Sequence, residues 1–386
     1  MRSTLNRIPY RLKKSLAVAL VAFAIVWVYA LIALNLSFLN PISEAIKSFS
    51  ITDRYYLMMD QRESRSVVIV DLTPLRDRSE IAAALREIAD CRPAAIGVDC
   101  IFEGEKADTA ADNALRQLAA TCPDIVFSYR LLDEQDDGMG YTRSIHSFFA
   151  DEMPIREGVT NMQRDNLYTG IKRNLTTGWT LNGELRPSFA GELVNIYAKR
   201  EKVKAKKDDV RINFSPTHFP VVMPDEITAS REQIEGRIVL FGTMTDEADM
   251  HYTPLGKMAG VNLLAYAVQT LTEGSRVKNV PRWLLVIVSL LWVMLTSELQ
   301  QALVRRTSDS KHLFVKFVVG SRYVIGLATF LWTAFFLWLA FLAFCLFNVG
   351  AEIVWTIATA AFLRTSHNFC TMCEDYCIAL KEKNRK

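Results

Sequence analysis

The sequence predicts an α/β domain with a mostly parallel sheet and flanking helices, combined with about four transmembrane helices, one N-terminal and three C-terminal. Two observations predict this fold class. Short, continuous apolar runs alternate with segments of helical periodicity in the middle of the chain, which is typical of parallel strands covered by helices. The longest apolar runs lie near the two ends of the chain, whereas most of the charge lies between residues 39 and 282.

The first apolar run extends from Ser15 to Leu36 and predicts a transmembrane helix over residues 15–38. Its length of about 22 uncharged residues suffices to cross ~30 Å of hydrocarbon. A basic cluster precedes it in segment 1–14: Arg2, Arg7, Arg11, Lys13 and Lys14. A secretory signal peptide has the same order of features, but this run is longer than a signal core and no clean small-x-small cleavage site follows. The pattern therefore favours an uncleaved anchor with a cytoplasmic N-terminus.

The segment that follows predicts a parallel βαβαβ unit with right-handed crossovers. Three apolar runs typical of strands buried on both faces alternate with two segments of helical spacing: strands at 67–72, 94–102 and 124–131, and helices at 79–89 and 110–120. Ser79 is a candidate N-cap for the first helix.

The region from residue 133 to 225 has less regular patterns, and regular patterns return after it. The elements predicted beyond the βαβαβ unit are a hairpin at 168–178, helices at 188–199 and 260–270, and strands at 210–214 and 237–241. The charge run at 199–209 predicts a solvated helix end and turn.

Three more apolar runs predict a cluster of membrane helices over residues 281–366: 283–304, 324–347 and the short run 351–363. Basic residues cluster in the loop 305–322 and towards the tail 367–386, whereas the turn 348–352 contains none. Because cytoplasmic loops carry an excess of Lys and Arg, four crossings place every basic cluster in the cytoplasm. Residues 39–280 then form a periplasmic domain of a multi-pass protein in a bacterial inner membrane.

Four stretches of this domain carry a family resemblance: residues 68–71 (Val-Ile-Val-Asp), 95–102 (Ala-Ile-Gly-Val-Asp-Cys-Ile-Phe), 236–242 (Gly-Arg-Ile-Val-Leu-Phe-Gly), and 249–261 with Thr253-Pro254 and Gly260-Val261. Weaker matches are Asp53 with Tyr55, Gly158 to Asn161 with Arg173, and residues 212–214. Their order and spacing, together with the flanking membrane helices, resemble the second type of CHASE domain, the cyclase- and histidine-kinase-associated sensory extracellular domain.

The resemblance implies a sensory input module, because members of this family typically place the domain ahead of a cytoplasmic kinase, cyclase or phosphatase. This chain departs from that pattern, since only about two dozen residues follow Leu363, too few for a catalytic domain. We therefore expect no enzymatic activity and no cofactor, with signalling through a separate cytoplasmic partner. The alternative is a structural or docking subunit of a bacterial envelope complex that binds no small-molecule ligand.

The expected partners are the lipid bilayer, a cytoplasmic or envelope protein, and a second copy in a homodimer. Nucleic acid is not expected, because the net charge is only +3 and no basic patch is interleaved with aromatic residues. A membrane enzyme or transporter accessory is disfavoured because the apolar runs lack ionisable residues that would line a pathway. Glu298 lies near the end of a run, and Glu352 lies in a turn.

Five polar residues follow predicted strands and are candidate ligand-binding residues: Asp71, Thr73, Asp99, Thr243 and Asp249. Ligands of open parallel sheets bind beyond the carboxyl ends of the strands, so these side chains would accept a cation or a cationic ligand there. The favoured alternative is that Asp71 and Asp99 accept hydrogen bonds from loop amides or cap helices. Neither a Gly-x-Gly-x-x-Gly motif nor a P-loop is present in the sequence, so nucleotide binding has no support.

The Ser and His residues of the domain show no nucleophile elbow and no metal-ligand spacing. His146, His218 and His251 are scattered along the sequence. His251 stands beside Asp249 and would sense acidity if it titrated near neutral pH. A surface or capping role for His251 is the favoured interpretation.

Cys91 and Cys122 each end a predicted helix just before a strand, and a proline follows each of them within two positions. Equivalent loops of adjacent βα units lie at the same sheet edge, and the periplasm is oxidising, so a Cys91–Cys122 disulfide is geometrically feasible. The alternative is a pair of buried free thiols.

The tail contains His367, Cys370, Cys373 and Cys377, whose spacing places them within one face of a helix. Four such ligands can bind zinc or a cluster. One straight helix cannot surround an ion tetrahedrally, so the site would need a second chain. A plain helix face that packs small thiols against a partner is the favoured interpretation.

Overall fold

The computed structural model describes residues 10–35, 50–135, 140–162, 170–308, 312, 314, 322–350 and 354–383. The chain divides into two compact units. The first is the continuous segment Tyr56–Val277, and the second combines Met1–Tyr55 with Lys278–Lys386. Strands and helices are numbered in chain order below.

A nine-stranded sheet forms the centre of the unit Tyr56–Val277. Its strands lie in the order β12 (Val221–Val222), β2 (Val67–Asp71), β13 (Ile238–Gly242), β3 (Ala95–Val98), β4 (Ile125–Glu134), β5 (Tyr141–Ile145), β8 (Gly178–Leu181) and β9 (Glu184–Pro187), with β6 (Glu157–Val159) paired to β4. The strands from β12 to β4 run parallel, as does β6 against β4. The pairs β4–β5 and β8–β9 are antiparallel. The predicted α/β class is therefore confirmed.

The order of the strands differs from the predicted βαβαβ unit. The predicted strands and the helices between them form, but β13 pairs with both β2 and β3 and separates them. Leu240 lies opposite Ile69 on one side and Gly97 on the other. Each of these strands is buried along its whole length, so its apolar sequence indicates burial on both faces but not which strand lies beside it.

Helices cover both faces of this sheet. On one face, α3 (Arg78–Asp90) and α4 (Thr109–Thr121) share a core cluster with the strands, which includes Val68, Val70, Leu85, Ile88, Ile96, Val98, Leu115 and Phe127. On the other face lie α5 (Phe189–Tyr197) and α7 (Gly260–Glu273), which pack against each other and against the sheet. A Cβ on Gly97 would lie 2.6 Å from Leu193 Cδ1 and 2.8 Å from Phe189 Cζ, so this glycine permits the close approach of α5.

The N-cap of α3 is Asp77, and the prediction of Ser79 was wrong. Asp77 Oδ1 accepts hydrogen bonds from the backbone N–H groups of Ser79 and Glu80 at 2.9 and 3.0 Å. Both residue types are good caps, but Asp77 has the extended backbone that an N-cap requires, whereas Ser79 is already helical. Asp108 and Ser188 cap α4 and α5 in the same way.

The hairpin predicted at 168–178 forms elsewhere. Residues 163–169 lie outside the described residues, and β7 (Asn174–Thr176) pairs antiparallel with β10 (Asp209–Arg211). The hairpin of this region joins β8 to β9 through Asn182 and Gly183, whose φ angles are 50° and 84°. Positive φ at both central residues is typical of a type I′ turn, for which Asn-Gly is the strongest sequence signal.

The remaining short elements surround the sheet. β1 (Arg62–Glu63) pairs in parallel with β11 (Thr217–His218), and β14 (Met250–Thr253) forms a hairpin with β15 (Gly256–Ala259) that leads into α7. The short helix α6 (Arg231–Ile234) precedes β13.

The second unit consists mainly of helices: α1 (Tyr10–Asn35), α8 (Arg282–Ser308), α9 (Arg322–Phe347), α10 (Val354–Ala361) and α11 (Leu363–Lys383), with α2 (Ile51–Tyr56) at the boundary of the two units. α1 packs against α8, α10 and α11. Trp292 of α8 stacks on Trp332 of α9 with ring centroids 4.6 Å apart. The short strand β16 (Lys278–Asn279) precedes α8. It pairs in parallel with β17 (Val349–Gly350), which follows α9.

Two helices among the described residues are long and apolar enough to cross a membrane, over Trp283–Ala302 and Gly326–Phe347. They correspond to the predicted runs 283–304 and 324–347. For the predicted span 351–363, residues 351–353 lie outside the described part of the chain and α10 has 8 residues. The predicted total of four spans therefore stays a prediction. In the predicted tail 367–386, the chain remains helical as part of α11, which ends at Lys383.

Candidate functional site

The five predicted ligand residues lie at the carboxyl edge of the parallel sheet. Asp71 is the last residue of β2, Asp99 directly follows β3, and Thr243 directly follows β13. Since β13 lies between β2 and β3, these three strand ends are neighbours. Thr73 lies in the loop after β2, and Asp249 lies in the 3₁₀ turn before β14. Hydrogen bonds join Asp71 and Thr73 to the loop after β13, whereas Asp99 and Asp249 influence each other through their charges.

The first group joins the loops after β2 and β13. Asp71 Oδ1 accepts hydrogen bonds from Thr73 N at 2.9 Å, Thr73 Oγ1 at 2.5 Å and Met244 N at 3.2 Å. Met244 N also lies 3.2 Å from Thr73 Oγ1. Asp71 is buried and holds loop amides, which is the alternative that the sequence left open. Asp71 and Thr73 therefore hold the loop after β2 and the loop after β13 together.

The second group contains Asp99, Asp249 and His251. The backbone N–H of Asp99 donates to Phe241 O at 2.9 Å. Burial raises the pKa of the Asp99 carboxyl to about 7, and the negative charge of Asp249 adds to this increase, whereas Arg130 and His251 oppose it. His251 Nε2 lies 3.3 Å from Asp249 Oδ1. We call Asp99 and Asp249 the acidic pair.

Two glycines allow the acidic pair to approach the start of α7. A Cβ on Gly260, the first residue of α7, would overlap Asp249 Oδ2 and lie 2.7 Å from Oδ1. A Cβ on Gly242 would lie 3.3 Å from Asp99 Cβ and 3.0 Å from Val261 Cγ2. The N-cap of α7 is Ala259, whose side chain makes no capping hydrogen bond, so a negative charge near this helix end is favourable.

This arrangement can bind positive charge. With a pKa near 7, the Asp99 carboxyl is partly protonated at neutral pH, because burial disfavours its charged form and repulsion by the Asp249 carboxylate adds to that effect. Uptake of a proton, a metal cation or an organic cation relieves that repulsion. Burial also raises the pKa of the adjacent Cys100 thiol to about 11, so that this thiol stays protonated.

A cleft of about 280 Å³ opens near the same edge. Met244, whose backbone is held by Asp71, lines it together with Phe219, Met258 and Tyr266. The sequence patterns did not predict this cleft or the roles of Met244 and Gly260. The cleft combines residues from four distant segments, but Gly260 at the start of a predicted helix was a visible signal for a close approach.

The other two histidines of the domain lie apart from the acidic pair. His146 Nδ1 lies 2.9 Å from Glu157 Oε2, and its ring stacks on Tyr129 with centroids 4.4 Å apart. His218 is an exposed residue of β11 beside the cleft.

Cys91 and Cys122 are free thiols in the structure, which therefore does not contain the predicted disulfide. Cys91 is buried, with its Sγ 3.8 Å from Ile227 O, and Cys122 is partly buried with its Sγ 4.0 Å from Thr121 Oγ1. Both pack against the core cluster below the sheet. The Cys91–Cys122 disulfide stays a prediction.

The four candidate metal ligands of the tail lie on α11. Within the described residues, no group of three or more His, Cys, Asp or Glu residues could hold a metal ion. Cys370 packs against a cluster that includes α1 residues, whereas Cys373 and Cys377 are exposed. A metal site that a second chain completes stays a prediction.

Comparison with known families gives one match. The profile of the CHASE2 domain matches residues 20–298, which contain the whole α/β unit and parts of α1 and α8. No curated protein and no solved structure matches the chain. The match covers most of the chain and agrees with the motifs at the ends of β2, β3 and β13. The chain therefore belongs to the CHASE2 domain family, a family of sensory extracellular domains.

Proposed function

We propose that this protein is a membrane-anchored sensory protein whose α/β unit binds a cationic ligand at the acidic pair and signals through a separate cytoplasmic partner. Membership of the CHASE2 family supports the sensory role. The choice of a cationic ligand rests on one observation. The pKa of the Asp99 carboxyl is raised to about 7 beside Asp249 at the carboxyl edge of the sheet. Strongly perturbed carboxyls in such positions are characteristic of functional sites.

The position of Asp249 supports a route for the signal. Its carboxylate contacts Gly260 at the start of α7, and the chain continues from the end of α7 towards the apolar helix α8. A ligand shifts a conformational equilibrium only if it binds one state more tightly than the other. A cation that draws Asp99 and Asp249 together would favour the state in which Asp249 lies against α7.

The proposed topology has four crossings of a bacterial inner membrane, with the α/β unit in the periplasm. α1, α8 and α9, together with the segment from residue 351 into α11, would span the bilayer. The support is the distribution of Lys and Arg, which cluster before α1, between α8 and α9 and at the end of α11.

Thermal unfolding of the full chain in lipid nanodiscs tests the binding proposal. At pH 7.5, we expect Ca²⁺, Mg²⁺ or spermidine to raise the unfolding temperature, since a ligand at about 100 times its Kd adds about 2.7 kcal/mol of stability. Asp249→Asn should abolish the increase. Asp208→Asn, which changes an exposed aspartate in the charge run 199–209, should retain it.

The alternative function predicts a different result. A docking subunit would show no stabilisation by any of these cations and would co-purify tightly with another envelope protein. That combination would overturn the proposal of a cationic ligand.

A further inference from the structure

One face of α11 is occupied within the chain. Leu363 and Ser366 are buried, and Cys370 packs against the cluster formed by Val18, Ala19 and Ala22 of α1. Further along the same face, Lys14 Nζ donates to Glu374 Oε2 at 2.7 Å. This face therefore holds α11 against α1.

A second face of α11 is apolar and exposed. We call it the α11 stripe, and it consists of Phe369, Met372, Cys373, Tyr376 and Leu380. Phe369 is 48% exposed, Tyr376 is 65% exposed and Leu380 is 42% exposed. At about 100° per residue, the centre of the stripe lies roughly 110° around the helix from the centre of the face that contacts α1. A contiguous set of large exposed side chains of this kind indicates an interaction surface.

The spacing within the α11 stripe is that of a two-stranded coiled coil. Phe369, Cys373, Tyr376 and Leu380 follow one another at intervals of four, three and four residues. Phe369 and Tyr376 then take d positions, and Cys373 and Leu380 take a positions. Such a pattern buries each a or d side chain against a partner helix with the same pattern.

The charge distribution favours pairing with an identical helix. Around the stripe, the g positions are Met372 and Ala379, and the e position after Tyr376 is Cys377, so no like charges would meet across a symmetric interface. Asp375 is exposed away from the stripe and Glu374 pairs with Lys14, so neither carboxylate of this part of α11 enters the interface.

We propose that the α11 stripe docks on the α11 stripe of a second copy of this chain, so that two copies pair in parallel in the cytoplasm. The parallel direction rests on the proposed function, because anchoring in one membrane gives every copy the same orientation. Confinement to that membrane also raises the effective concentration of the two short helices, which stabilises a pairing of about two heptads.

Parallel pairing makes a specific prediction for the three cysteines of α11. Same-numbered a residues approach closely across the symmetry axis, so the two copies of Cys373 lie within reach of a disulfide. Cys370 lies on the face that contacts α1 and does not meet its equivalent. Cys370 therefore serves as a control on the same helix for a thiol that faces α1.

Oxidative cross-linking of full-length single-cysteine variants in native membranes tests the proposal. With copper phenanthroline as the oxidant, we expect the variant that retains only Cys373 to form a covalent homodimer at least fivefold faster than the variant that retains only Cys370. Tyr376→Lys should reduce the Cys373 cross-linking rate at least fivefold by placing like charges in the interface. Mass photometry of the wild-type chain in detergent should give two copies per particle, and Tyr376→Lys should give one.

Other occupants of the α11 stripe give distinguishable results. Equal cross-linking rates for the two single-cysteine variants, a Cys373 cross-link to a different protein, or one copy per particle for the wild type would each overturn the proposal. Protection of Cys373 from a water-soluble maleimide in nanodiscs that hold one copy would indicate a lipid surface instead. Loss of cross-linking in a chain that is still stabilised by cations would overturn this inference and leave the proposed function intact.

Discussion

Asp99 is a residue that opposes folding when it is charged. Its carboxyl has a native pKa of about 7, raised by burial and by Asp249, so the folded chain retains a proton that the unfolded chain has already released. Between about pH 4, the ordinary value for aspartate, and pH 7, the native state therefore binds more protons than the unfolded state. The free energy of unfolding therefore falls as the pH rises through this window. Above the window, the stability that the protonated Asp99 carboxyl contributes is fully lost.

Replacing this carboxyl by an amide should stabilise the protein at alkaline pH. At pH 8, we expect Asp99→Asn to raise the free energy of unfolding by on the order of 2 kcal/mol and to remove the decline in stability between pH 4 and pH 7. Denaturant unfolding of the full chain in detergent at pH 5 and pH 8 measures both effects. Asp208→Asn is the control. A loss of stability at pH 8 in Asp99→Asn would show that the charged form of Asp99 is favoured by its surroundings.

The sequence indicated which residues reach the carboxyl edge but not which of them share hydrogen bonds. Asp71 and Asp99 both stand at the end of an apolar run, and this pattern correctly predicted their place on the sheet. Asp71 is satisfied by Met244 N, which lies 173 residues away in the chain, whereas Asp99 meets the negative charge of Asp249. Such long-range partners depend on the insertion of β13 between β2 and β3, which no local pattern specifies.

At the scale of elements, a buried ion pair joins the two helices on one face of the sheet. Arg78 Nη1 of α3 donates to Asp112 Oδ1 of α4 at 2.7 Å, and the Asp112 side chain is 1% exposed. Burial alone would raise the pKa of Asp112, but hydrogen bonds from Lys106 N and Arg78 lower it below its ordinary value. The Arg78 guanidinium also lies 5.0 Å from the centroid of the Phe148 ring.

Removing one partner of this pair should be strongly destabilising. We expect Arg78→Ala to lower the free energy of unfolding by about 3–5 kcal/mol, because it leaves a buried carboxylate without its cation. Arg143→Ala removes the exposed pair with Asp133 and should cost less than about 1 kcal/mol. Denaturant unfolding of both full-length variants gives the comparison. Equal losses would mean that the Arg78–Asp112 pair contributes no more than a surface contact.

The helices and strands themselves were largely predictable, since α3 and α4 follow helical periodicity and β2, β4 and β13 contain continuous apolar runs. The hairpin was misplaced because the Asn182-Gly183 signal was overlooked, although the residues that form its turn are explicit in the sequence. Strand order was not predictable, because strands that are buried on both faces present equivalent edges to one another.

At the scale of the whole molecule, the chain enters and leaves one α/β unit between segments that belong to a second, helical unit. Two of the helices in that second unit have the length and composition of membrane spans. The proposed topology requires the α/β unit and the two termini to lie on opposite sides of the bilayer.

Site-specific labelling in a cysteine-free background tests this topology. We expect a membrane-impermeant maleimide to label Asp151→Cys in intact spheroplasts, and to label Asp375→Cys only after the membrane is permeabilised. Both positions are exposed in the structure, so accessibility within the folded chain does not limit the reaction. Labelling of both variants before permeabilisation, or of neither, would contradict a periplasmic α/β unit and with it the parallel pairing of α11.

The short pair β16–β17 has a mechanical consequence. Lys278 N donates to Asn348 O at 2.7 Å, so the strand that leads into α8 is tied to the turn that closes α9. A force on the backbone at Lys278 is therefore transmitted to both α8 and α9. Displacement of this segment would move the adjoining ends of the two helices together.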